Sequence, residues 1–104
     1  MLEVMTRVSN NIPVKKLTRE QIPTRYGDIY LAYGLGKGDN GKPCWHGMWA
    51  FDTLPVKGSA DLDGLSGVGI ELLGTKKQVR QSLFNMAWMA GSIYADNEVE
   101  APCL

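Results

Sequence analysis

The chain has little of what most site chemistry uses. Its 104 residues include one histidine, His46, and two cysteines, Cys44 and Cys103. Two cysteines this far apart are not a disulfide framework. A structural zinc site wants four ligands of the Cys and His kind, and only three are on offer. Asp52, Asp61 and Asp63 show no ligand spacing, and Asp61-Leu-Asp-Gly lacks the rest of a calcium loop. No metal and no cofactor is therefore expected. Gly64, Gly67 and Gly69 lead into a strand, whereas a phosphate-cradling loop leads out of one into a helix.

Long hydrophobic runs are missing too. Nothing approaches the ~18 apolar residues that cross a bilayer, and Glu3 and Arg7 interrupt the first apolar stretch, unlike a secretory signal. A cytoplasmic protein with reduced thiols is expected. Neither sign of charge is in excess, since 11 basic side chains balance 11 acidic ones. No global field draws in nucleic acid or an anionic membrane, so any such binding needs a local patch.

What is present is enough apolar content, 44%, for one hydrophobic core. A single domain over residues 1–104 is expected, with 96–104 a flexible acidic tail. Leu2, Val4 and Val8 keep strand parity. Thr18 and Gln21 stand at capping-box spacing before Pro23, which predicts a short helix there. Ile29, Leu31, Tyr33 and Leu35 alternate with the residues between them, as do Trp45, Trp49 and Phe51. The Asn40-Gly41 pair lies between the two runs, so an antiparallel hairpin over 28–52 follows. A long loop over 53–67 leads to a strand over 68–73. Thr75 and Gln78 then form a second capping box and open a helix running to about Tyr94, with Val79, Leu83, Met86, Ala87 and Ala90 on its core stripe. The expected fold is α+β: an antiparallel sheet of three to four strands with one long C-terminal helix on one face, in the order strand, short helix, three strands, helix.

Cys44 and His46 are the sole thiol and imidazole able to pair, and a small thiol enzyme using Cys44 is one reading. Two residues apart on a strand, their Cβ atoms stand roughly 6 to 7 Å apart, which is long for a direct bond, and a nucleophile also needs a third group to orient its base. The plainer expectation is a second surface of Cys44, His46 and Met48, covered by another part of the chain or by another molecule. On the helix, Phe84 and Trp88 fall 140 to 180° from the Val79 stripe at about 100° per residue, with Lys77, Arg80 and Gln81 one turn before them. Aromatics beside arginine are the composition of an interface hot spot, so these five residues are the expected partner-binding set.

The segment Gly74-Thr-Lys-Lys-Gln-Val-Arg-Gln-Ser-Leu-Phe-Asn-Met-Ala87 also resembles the start of the last helix of double-stranded RNA-binding domains. In that family a Ser-Lys-Lys motif and a further basic residue meet phosphates, and Lys76, Lys77 and Arg80 occupy the matching positions. The resemblance implies helix, three strands, helix, and duplex RNA as ligand. Without a catalytic set, the leading expectation is a non-enzymatic binding protein. It would act by covering a protein or ribonucleoprotein partner, or by pairing as a homodimer, with no membrane involved. Small inhibitors carried by phages and mobile elements, anti-CRISPR proteins among them, share this profile at the level of class.

Overall fold

The computed structural model describes residues 16–25, 27–53, 66–94 and 100–104. Four strands, β1 (Thr18–Thr24), β2 (Gly27–Lys37), β3 (Pro43–Thr53) and β4 (Ser66–Leu72), precede one helix, α1 (Lys76–Tyr94). The strands lie in one sheet in the order β1-β2-β3-β4, each neighbour antiparallel. This is the α+β architecture that the alternation and the long helical stripe imply. The strand expected over residues 2–8 and the centre of the long loop lie outside the described residues.

The β2–β3 hairpin closes where the Asn-Gly pair placed it. Gly41 has a φ of 76°, a left-handed conformation that a side chain resists, and the Asn40 side-chain oxygen accepts from Lys42 N–H at 3.0 Å. Cross-strand pairing then sets Ile29 against Phe51, Leu31 against Trp49 and Leu35 against Trp45, so one parity of both strands gives one apolar face.

Residues 18–24 form a strand, not the expected short helix. Thr18 and Gln21 do have capping spacing, but Thr18, Ile22 and Thr24 are β-branched at alternate positions, and the half-buried parity of β1 carries Glu20 and Ile22 against Leu31 and Ile29. Pairing with β2 offers every second residue a buried partner, which one isolated helical turn does not. Gln21 instead donates across the ladder to Asp28 Oδ2 at 2.9 Å. Pro23 is tolerated because β1 is an edge strand among the described residues. Among the described residues four strands and no earlier helix therefore stand before the long helix, and the helix, three strands, helix order implied by the RNA-binding resemblance does not hold.

Helix α1 starts on its capping box: Thr75 N–H donates to Gln78 Oε1 at 2.8 Å and Gln78 N–H to Thr75 Oγ at 3.2 Å. Its rotation about its own axis differs from expectation. Val79, Leu83, Phe84, Ala87 and Trp88 are all buried, and with Gly91 they span a face about 180° wide centred near Ala87. Met86 sits about 20° beyond Val79 and is 38% exposed, off the core stripe to which its spacing assigned it. The helix seats closely. A Cβ on Gly91 would run into the ring of Phe51, and one on Gly47 would meet Leu83 at 2.5 Å.

The core joins Ile29, Leu31, Tyr33 and Phe51 to Val79, Leu83, Phe84, Ala87 and Trp88, with Trp45, Trp49 and Leu72 partly buried against it. On the other sheet face Tyr30 and Ala32 have 0% exposure and Ala50 has 3%. Because Trp88 is part of the core, Trp88→Ala should cost about 3–5 kcal/mol in urea unfolding, whereas Met89→Ala should change stability by less than about 0.5 kcal/mol. Equal small effects would place Trp88 outside the core.

Candidate functional site

Three groupings of polar and apolar side chains lie around this core, and each recruits residues singled out by the sequence. The first is at the start of α1. Arg80 lies near the centre of the buried helical face, and Glu20 reaches it from β1. Arg80 Nε is 2.8 Å from both Glu20 oxygens, and a terminal nitrogen of the same guanidinium is 2.8 Å from Oε1. Tyr33 Oη donates to Glu20 Oε2 at 2.6 Å.

The charges respond to this geometry. Burial alone would raise the Glu20 carboxyl, but the bonds from Arg80 and Tyr33, with the positive charges of Arg80 and Lys76, bring it below its ordinary value of 4.5. Tyr33 is pushed up, first by burial and then by its bond to the carboxylate. Arg80 is raised, chiefly by the bond to Glu20. A guanidinium forked onto a half-buried carboxylate is held in place. Arg80 is thereby committed to an internal pair and does not line up with Lys76 and Lys77, both exposed, as a phosphate-facing set.

Beside this network, three apolar side chains cross the sheet in register: Leu35 opposite Trp45, and Trp45 opposite Leu72. The Trp45 indole N–H donates to Gly74 O at 3.1 Å, fastening the row to the turn that starts α1, and its ring packs at a tilt on Tyr33 with centroids 6.4 Å apart. The row is open to solvent at Leu35, 55% exposed; Leu72 at its other end is partly buried against the core, and Leu73, the next residue after β4 and outside the pairing, is 86% exposed. Lys76 and Lys77 follow within one turn. The sequence did not single out this row, because Leu35 and Leu72 read as interior strand residues; only the register places them at the rim.

The second grouping is Cys44 with His46, and here the distance expectation is corrected. Cys44 Sγ lies 3.3 Å from His46 Nε2. A Cβ separation does not limit an imidazole that lies along the strand, and the β3–β4 pairing shifts register between Trp45 and His46, which re-aims side chains. Nε2 also lies 3.0 Å from Lys37 O. A carbonyl only accepts, so that bond assigns the proton to Nε2, and the sulfur shares the same N–H as a weak acceptor. The ring's lone pair is then on Nδ1, which is buried without a partner. His46 is thus near Cys44 but not placed to take its proton. His46 is buried while Cys44 and Met48 are half-buried, so these residues do not form an open second surface.

The third grouping corrects the expected partner-binding set. Phe84 and Trp88 stack with centroids 5.9 Å apart and an interplanar angle of 28°, but at 1% and 5% exposure they are interior. The wide apolar face of α1 turns them toward β1, beside Ile22. Of that set, Lys77 is exposed, Arg80 is paired with Glu20, and Gln81 binds the backbone of residues 102 and 104. Where a flexible tail was expected, residues 100–104 lie along α1, with Ala101 and Leu104 packed on the core. Among the described residues no three Cys, His, Asp or Glu side chains gather as metal ligands, and no described helix is long and apolar enough to cross a membrane.

Because the folded-state carboxyl of Glu20 is lowered, the stability it supplies is fully present above the ordinary glutamate range and is lost as pH falls through the lowered value. Glu20→Gln should therefore cost about 1–3 kcal/mol at pH 7, and the gap to the parent chain should close as pH drops below 4.5. Unfolding curves across pH read this, and a gap that stays constant to low pH would refute the ionised pair. No protein-family model, no curated protein and no solved structure matches the chain.

Proposed function

We propose that this chain is a non-enzymatic binding protein that acts by covering part of a macromolecular partner, and that the covering surface is the rim formed by Leu35, Trp45, Leu72 and Leu73 with Lys76 and Lys77. The observation that carries the reading is a registered apolar row exposed at its β2 end, 55% at Leu35, and followed beyond its β4 end by Leu73, outside the pairing and 86% exposed. Single exposed leucines are ordinary on protein surfaces. A row centred on a tryptophan, edged by cations and held rigid by Gly74 and Tyr33, is the composition and stiffness of an interface anchor.

The contact is with a protein or ribonucleoprotein surface, or with a second copy of the chain. An inhibitor of the kind carried by phages and mobile elements is one form such a protein takes. Duplex RNA fits less well, because Arg80 is committed to Glu20 and only Lys76 and Lys77 remain of the basic trio.

The test is photo-crosslinking in the native host, with a benzophenone side chain in place of Leu35 and, as a control of similar exposure, in place of Met89. A discrete crosslinked species from position 35 that is absent from position 89 is expected, and its mass distinguishes a foreign partner from a second copy. No species from position 35, or equal yields from both positions, would count against the rim as the covering surface.

A further inference from the structure

Gln81 grips a peptide backbone. Its amide nitrogen donates to Asn85 Oδ1 at 2.8 Å and to Pro102 O at 3.0 Å, while its oxygen accepts from Leu104 N–H at 2.7 Å. Asn85, one turn along α1, sets the rotation of the amide. Bonding the C=O of one residue and the N–H of the residue two further on is how one extended strand reads its neighbour. It holds the main chain whatever the side chain in between, and Cys103 there is exposed. Selectivity comes from Ala101 and Leu104, which pack on the core, and from Pro102, whose ring favours an extended backbone.

The seated residues do not fill the space available to them. A cleft of about 480 Å³ remains between β1 and α1, lined by Ile22, Pro23, Phe84 and Trp88 and also by Pro102 and Leu104 themselves. We propose that this groove is a receptor for an extended peptide from another chain, of the pattern small apolar residue, proline, any residue, leucine, and that residues 100–104 are its resident occupant. Because the occupant is tethered, it competes at an effective concentration on the order of millimolar. An incoming peptide binds by displacing it, so the resident segment sets the threshold for binding. The groove lies on the β1 side of α1, and the proposal does not rest on the rim at Leu35.

The test uses the full chain carrying Leu104→Ser, which loosens the occupant, titrated with an end-capped peptide Glu-Ala-Pro-Cys-Leu under reducing conditions and followed by the amide spectrum of Gln81 and the indole of Trp88. Saturable binding is expected, weakened at least tenfold when Gln81→Ala is added, with a scrambled peptide inert. No saturable change up to several millimolar peptide, or binding indifferent to Gln81→Ala, would overturn the proposal. Should Leu104→Ser not fold, a spin label on Cys103 in a Cys44→Ser chain reads the same event. Excess peptide should then raise the mobile fraction of the label, and an unchanged spectrum would overturn the proposal equally.

Discussion

The close seating of α1 on the sheet determines where every other surface feature falls. Leu83 rests where Gly47 leaves no side chain, and Gly91 lets the helix backbone come down on Phe51. With those contacts made, the helix has one rotation open to it: Ala87 faces the sheet, Phe84 and Trp88 turn toward β1, and Met86 and Met89 point outward. Close packing of this kind tolerates little displacement. The aromatic pair that gives the helix its look of an interface is in this way consumed by the core.

The same rotation carries Arg80 to the inner side of the helix, where a cation needs a counter-charge. Glu20 supplies it from the edge strand, and Tyr33 supplies a further donor from the central strand. The network therefore ties β1, β2 and α1 together at one corner, and it pairs with a carboxylate the side chain that a phosphate binder would use. What remains at that corner is apolar: the Leu35, Trp45 and Leu72 row, anchored at Gly74. Further along the same helix, Gln81 and the aromatic floor of the β1 cleft hold an extended segment. One packing arrangement thus positions both the apolar row and the groove beside β1.

Much of this was legible in the sequence. The Asn40-Gly41 turn, the alternation in both hairpin strands and the Thr75 to Gln78 capping box are local signals, and each has the structure its chemistry requires. The misread features depend on partners distant in sequence. The Thr18 to Gln21 spacing fits a helix cap until β2 is laid beside it. The helix phase was misjudged because methionine and alanine satisfy a helical stripe as well as phenylalanine and tryptophan do, and Gly91, the residue that marks the true contact line, carries no hydrophobic signal. The proximity of His46 to Cys44 rests on the carbonyl of Lys37, a backbone group that no side-chain pattern reveals.

Trp88 belongs to the interior while Trp45 stands partly exposed at the rim. The chain has three tryptophans, so fluorine NMR of the fluorotryptophan-labelled protein, assigned by single Trp→Phe replacements, resolves them one by one. Titration with a soluble paramagnet should broaden the Trp45 resonance strongly and leave that of Trp88 sharp. Broadening of Trp88 equal to or greater than that of Trp45 would contradict the account.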